Sequence, residues 1–254
     1  MSSSDYKFGN LNLKNAKEVS DYAAQIVVDT EKLVTHSIPD KIFALDKMIK
    51  DEFLVVKDVV QQNIDHFETL NSNSNHNDSF NDGIIMNSKK RKIDDEDQDT
   101  LPHAAKSFPC NKRLLKLINI IKPEVQDMVE ICEKMQMWIQ LLIPKIEDGN
   151  NFGVSIQEEV LNEIHRIQSD SVTYLDSISR YYITRGKIVS KIVKYPFLND
   201  YKRAVKEIDD KEFMNLKFGI NELKSNYLLI LDLVSKNYEK IKKPRSSNNL
   251  NAMY

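Results

Sequence analysis

Apolar residues recur with a helical rhythm over most of this chain. Between positions 111 and 143, Leu114, Ile118, Ile121, Val125, Met128, Cys132, Met135, Ile139 and Leu142 follow one another in steps of four and three. That spacing keeps one apolar stripe turned toward partner helices along a rod of about 50 Å. Pro123 falls inside the rod and is expected to interrupt or kink it. Trp138 and the methionines near it read as core filling. From Ile156 to Lys194 the rhythm returns in Val160, Ile164, Ile167, Tyr174, Ile178, Tyr181, Ile188 and Ile192. Ser171 and Arg185 are polar members of that stripe, and buried polar groups need partners, which an oligomer could supply across subunits. A last rod carries Val205, Ile208, Phe213, Leu216, Ile220, Leu223, Tyr227, Ile230, Val234 and Ile241. Asn199 or Asp200 can cap its start, and Lys240, Lys242 and Lys243 suit the dipole at its end, before Pro244 stops it.

Near the N-terminus, Leu13, Ala16, Ala23, Val27, Thr30 and Val34 predict a helix over 11–36. Ile38-Pro39 should break it, ahead of a shorter amphipathic piece with Ile42, Leu45, Met48 and Ile49. No stretch reads as a strand. Four amphipathic helical segments predict an all-α fold, an antiparallel four-helix bundle with long helices. The expected parts are residues 1–67 as the N-terminal helical portion, 68–107 as a polar insert, 108–244 as three long helices with a loop, and 245–254 as a tail.

The loop between the second and third long helices is Pro144-Lys145-Ile146-Glu147-Asp148-Gly149-Asn150-Asn151-Phe152-Gly153. Proline ends the preceding helix, and two glycines are free to take positive φ. Ser155, with Glu158 three residues on, fits a capping box that restarts the chain as helix. By chemistry alone this is either an ordinary αα-hairpin turn or a functional loop presented by rigid elements.

The insert opens on the low-complexity run Asn71-Ser72-Asn73-Ser74-Asn75-His76-Asn77, whose composition predicts a mobile linker or surface loop. Within it Lys89-Lys90-Arg91-Lys92 precedes an acidic run. A basic cluster of this kind is either a solvated charge run or a nuclear import signal read by an import receptor. After Pro244 the chain is polar until Met253 and Tyr254, which is either a frayed end or a docking peptide.

Composition narrows the classes of function. Six glycines and seven prolines are few for 254 residues and argue against a turn-rich β protein. A net charge of −2 gives no basic field for nucleic acid. Apolar runs such as 227–231 are too short to cross a membrane, and no secretion signal is read at the start. The two cysteines, Cys110 and Cys132, form no disulfide framework or zinc spacing and fit a reducing compartment. An intracellular soluble protein is expected.

Catalytic chemistry is not apparent. The residues three before the five histidines are Leu33, Asn63, Asn73, Thr100 and Asn162, so no Glu-x-x-His metal pair exists. No glycine-rich phosphate loop is present, and Glu147 with Asp148 reads as solvated loop acid. No enzyme, metal or cofactor is expected.

The string from Pro144 to Val154 closely resembles the activation loop of the 11S proteasome activators, the REG or PA28 family. Ile178-Ser179-Arg180-Tyr181-Tyr182-Ile183-Thr184-Arg185, Lys194-Tyr195-Pro196, Asp200-Tyr201-Lys202-Arg203 and the segment from Glu239 to Asn248 agree. The detail is most similar to the gamma type. The match is strong from about Leu114 onward, whereas residues 1–60 match only in pattern. The resemblance implies a homoheptameric ring that caps the core proteasome and opens its gate without ATP. On that reading Lys145, Ile146, Glu147, Asp148, Gly149, Asn150, Asn151, Phe152 and Gly153 form the activation loop, and Asn150 matches the family's most sensitive position. Asn248, Asn249, Leu250, Asn251, Ala252, Met253 and Tyr254 anchor to pockets of the α-ring, Tyr254 supplying the terminal carboxylate. Lys187 corresponds to a channel-facing position, and the cluster at Lys89, Lys90, Arg91 and Lys92 implies the nucleus. Two departures stand out: Lys145 replaces a commoner arginine, and the tail diverges over 249–253. The competing expectation is a nuclear coiled-coil scaffold or adaptor with no protease partner. A four-helix cytokine is disfavoured for want of a secretion signal and disulfides.

Overall fold

Four helical rods carry the four apolar stripes. The computed structural model describes residues 14–53 and 109–245. The insert with Lys89–Lys92, the tail from Asn248 to Tyr254, and Leu13 lie outside the described residues. The chain divides into two units, one joining Met1–Leu54 to Lys112–Tyr254 and the other spanning Val55–Asn111. All the helices that follow belong to the first unit.

The N-terminal rod begins with α1 (Ala16–Lys32) and passes through a π-helical turn, Leu33–Ser37, into α2 (Ile38–Met48) and a second π-helical turn, Ile49–Phe53. The expected break at Pro39 does not occur. Ser37 (φ −70°, ψ −40°) and Ile38 (φ −64°, ψ −47°) keep right-handed helical geometry through the joint. Proline occupies the first turn of α2, where its missing N–H is least costly, and the wider π turn before it absorbs the altered hydrogen-bond register. Three long helices follow: α3 (Lys112–Leu142), α4 (Phe152–Lys194) and α5 (Asn199–Lys242). Pro123 lies inside α3 without breaking it. Neither expected side-chain cap forms on α4 or α5. Asn151 and Leu198 are the residues that precede those helices, and Asp200 sits in the first turn of α5, where its charge favours the positive end of the dipole.

Paired positions show that neighbouring rods run antiparallel. Gln157 and Arg185 of α4 reach Ile241 and Asp209 of α5, so rising numbers on one meet falling numbers on the other. Gln136 of α3 donates to Gln168 of α4 at 2.9 Å, while Gln157 nearer the start of α4 reaches Leu142 at the end of α3. Four cross-rod ion pairs fix the register of the N-terminal rod. Lys41 bridges Glu124 (2.8 Å) and Asp127 (2.6 Å) of α3, Asp46 meets Lys224 of α5 (3.0 Å), and Glu31 meets Lys242 (2.9 Å).

The core follows the stripes read from the sequence. On α3, Leu114, Ile118, Ile121, Val125, Met128, Cys132, Met135 and Ile139 are all buried, and Leu142 is partly so. Leu117, Ile131 and Trp138 form a second buried column on the same helix, because α3 packs against several rods and needs a wider apolar face than a two-stranded seam. Burial pushes the Cys132 thiol up to about 12, which leaves it an inert core group.

The polar members of the α4 stripe find partners within the chain. Ser171 Oγ donates to the Ile167 carbonyl at 2.8 Å. Arg185 Nε donates to Asp209 Oδ1 at 2.9 Å, and the Tyr181 hydroxyl donates to the same oxygen at 3.0 Å. Glu212 lies one turn along, 5% exposed, accepting from Asn215 Nδ2 at 3.3 Å. Burial raises the Glu212 carboxyl above its ordinary value, and Asn215 offsets only part of that. A carboxyl raised in the folded state stabilises below the ordinary glutamate range and loses that contribution as pH rises through its folded value. Glu212→Gln keeps an acceptor for Asn215 without the buried charge. The variant is therefore expected to melt higher than the parent at pH 7.5, by roughly 2–4 °C per kcal/mol released, with the gap narrowing toward pH 4.5. Thermal unfolding at the two pH values checks this; an equal or lower midpoint at pH 7.5 contradicts it.

Candidate functional site

The end of the bundle where α3 stops, α4 starts and α5 stops is built from residues far apart in sequence. Gln157, fully buried on the second turn of α4, joins all three helices. Its Nε2 donates to the Leu142 carbonyl at 3.1 Å and to the Ile241 carbonyl at 2.7 Å. Both carbonyls belong to the last turns of their helices, which lack intrahelical donors, so one amide satisfies two helix ends. Its Oε1 has no partner among the described residues.

Gly153 completes the joint. A Cβ placed there would lie 2.0 Å from the Pro244 carbonyl oxygen and 2.7 Å from Pro244 Cα. Only glycine lets the first turn of α4 touch the backbone just past α5. Sequence reasoning valued Gly153 for a positive φ, but the residue is helical and its use is close approach. Ser155 and Glu158 likewise form no capping box. Helix α4 begins at Phe152, so Phe152 and Gly153 belong to its first turn, and the Ser155 N–H donates to the Asn151 carbonyl at 2.9 Å. The contact with Pro244 draws the helix start forward, and a backbone contact 91 positions away has no local sequence signal.

From this platform the loop extends into solvent. Lys145, Ile146, Glu147, Asp148, Gly149, Asn150 and Asn151 are all exposed, and Ile146 and Phe152 present apolar surface on its two flanks at 101% and 72% exposure. The tip is a left-handed pair, Gly149 at φ 78° and Asn150 at φ 48°. Asparagine is among the few side chains that tolerate this region. No side chain packs near Gly149, so the tip is shaped by backbone and by the legs beneath it.

Arg245 holds those legs. Its Nη1 donates to the Lys145 carbonyl (2.9 Å) and to Glu147 Oε2 (3.0 Å), and its Nη2 donates to Asn151 Oδ1 (3.0 Å). Lys145 Nζ meets Glu147 Oε1 at 2.6 Å. The Lys145 ammonium holds the Glu147 carboxyl below the usual glutamate range, with Arg245 acting in the same direction. Arg245 follows Pro244 directly, so the root of the tail is bonded to the loop. The sequence reads Arg245 as part of the tail; its loop partners lie 94 to 100 positions away, and Gln157 reaches Ile241 across 84 positions. Lys187, exposed on α4, lies 35 residues beyond Phe152, about 50 Å along the helix. It is therefore not part of this end.

Residues 13–65 match the family Proteasome activator PA28, N-terminal, and residues 107–251 match Proteasome activator PA28, C-terminal. A Gallus gallus protein named proteasome activator complex subunit 3 is 42% identical over 243 residues, covering 91% of this chain and 93% of that protein. The crystal structure of the 11S subunit of the Plasmodium falciparum proteasome, PA28, superposes with a TM-score of 0.69 at 31% identity, covering 91% of this chain and 94% of that one. A mutated P26 activator, solved in complex with archaeal 20S proteasome, shares the fold at a TM-score of 0.61 with 12% identity, covering 95% of this chain and 100% of that one. With both halves matched and an all-helical bundle in common, the chain belongs to the proteasome activator PA28 family.

Proposed function

We propose that this protein is an ATP-independent activator of the core proteasome, acting as a homoheptameric ring on the α-ring of that particle. The observation that carries the reading is the convergence of the exposed left-handed loop and the root of the tail on one end of a rigid bundle. Residues 1–67 and 108–244 form the body, residues 68–107 the insert, and residues 245–254 the anchoring tail. Residues Asn248 to Tyr254 bind in α-ring pockets, and Lys145 to Gly153 press on the gate. The protein supplies no catalytic group. It favours the open gate by binding it better than the closed one, and an effector shifts an equilibrium by no more than that difference.

Lys187, far from the loop end, faces the central channel of the ring and biases which peptides are promoted. The basic cluster Lys89 to Lys92 is read by an import receptor and directs the protein to the nucleus, where gamma-type members of the family are expected. No nucleic acid or membrane takes part.

The test is hydrolysis of fluorogenic peptides by purified core proteasome, with and without this protein and without nucleotide. Stimulation is expected. Asn150→Val places a β-branched residue in the left-handed region, which disfavours the tip conformation by roughly 1–2 kcal/mol. This variant is expected to assemble and bind normally but to lose about tenfold or more of the stimulation. Full stimulation by the variant would overturn the assignment of gate opening to this loop.

A further inference from the structure

The guanidinium of Arg245 reaches the loop on both sides of its left-handed tip. Lys145 and Glu147 lie before Gly149-Asn150, and Asn151 lies after it. The other contacts between the legs are weaker. Asn151 Nδ2 donates to the Glu147 carbonyl at 3.4 Å, and the Lys145–Glu147 pair joins two residues of the same leg, with Lys145 84% exposed. An exposed ion pair of that kind orders little in water. Arg245 is different: its side chain is only 18% exposed and its bonds are charge-assisted or made to backbone. Its backbone is fixed by the contact of Pro244 with Gly153.

We infer that Arg245 is the positioning residue that couples the tail to the gate-opening loop, so that the two are one mechanical unit. The inference rests on the proposed activator role of the loop. The guanidinium fork draws the legs together and thereby sets the direction of the Gly149-Asn150 tip. A tail that docks pulls on the backbone at 244–245, and the pull reaches the loop through these three hydrogen bonds. Lysine could not replace this arginine. One ammonium on a flexible stem can meet one or two of the three acceptors but cannot span both legs with a planar fork.

Two measurements test the coupling. In the first, hydrogen exchange of the free full-length protein is followed for peptides spanning 143–153. Arg245→Ala is expected to speed exchange there at least about fivefold, while the middles of α3 and α5 exchange as in the parent. Arg245→Lys should recover only part of that protection. Unchanged exchange over 143–153 overturns the inference, and this arm does not depend on any proteasome. In the second, peptide hydrolysis by core proteasome is titrated with each protein. Arg245→Ala is expected to lower maximal stimulation about five- to tenfold, with the half-saturating concentration within about twofold of the parent. A loss confined to the half-saturating concentration would make Arg245 a tail-binding residue only and would overturn the coupling. If the parent itself fails to stimulate, the activator reading falls, while the exchange arm still decides whether Arg245 positions the loop.

Discussion

Removing Asn248 to Tyr254 is expected to abolish association with the core proteasome while leaving the ring intact. One short peptide binds weakly, because ordering its backbone and side chains offsets most of what its contacts gain. Tails mounted on a common ring act together. Once one is seated, the others search at effective concentrations in the millimolar range, and avidity exceeds single-site affinity by about 10² to 10⁴. Loss of every tail removes that whole factor, and the loop end alone offers little surface to replace it. Stimulation should fall to background at concentrations where the full chain saturates, and the truncated ring should no longer co-sediment with the proteasome. Mass measurement should give the same number of subunits in the ring, since the truncation spares residues 14–53 and 109–245 that make the bundle. Retained co-sedimentation would show that anchoring lies elsewhere.

Gly153→Ala is expected to be the most disruptive single methyl group on this end of the molecule. The added Cβ would meet three backbone atoms of Pro244 at 2.0, 2.6 and 2.7 Å. Backbone cannot swing aside as a flexible side chain can, so α4 and the end of α5 must separate. Overpacking of this kind costs on the order of 2–3 kcal/mol, or about 5–10 °C in the melting midpoint. The damage spreads by geometry. Displacing Pro244 displaces Arg245, and with it the three hydrogen bonds that draw the loop legs together. It also strains the Gln157 bridge to the Ile241 carbonyl. Thermal unfolding and peptide stimulation should therefore fall together, unlike Asn150→Val, for which stability should be kept and stimulation lost. A Gly153→Ala protein that melts and stimulates like the parent would mean that the helix end yields freely.

These two cases differ in where their cause can be seen. The tail and the loop are visible along the chain as contiguous runs outside the helical patterns, and the roles proposed for them come from the family resemblance. The cause of the Gly153 effect is not, since Pro244 is 91 positions away and neither residue carries a local mark of the other. The same holds for Gln157: its spacing from Val160, Ile164 and Ile167 puts it on the buried face of α4, but nothing local names the two helix-end carbonyls that it joins.

What the sequence determined by itself was the all-α class, the three long rods and most of their buried apolar positions. Amphipathic periodicity is a local property that burial then obeys, and the loop stood out because a proline and two glycines punctuate it. The tertiary structure alone decided that Pro39 continues a helix, since a π turn absorbs the missing donor. It alone paired Arg185 with Asp209 within one chain. It alone started α4 at Phe152 and bonded Arg245 to the loop. Each of these is a choice between partners distant in sequence, settled by which groups the packed helices bring within reach of one another.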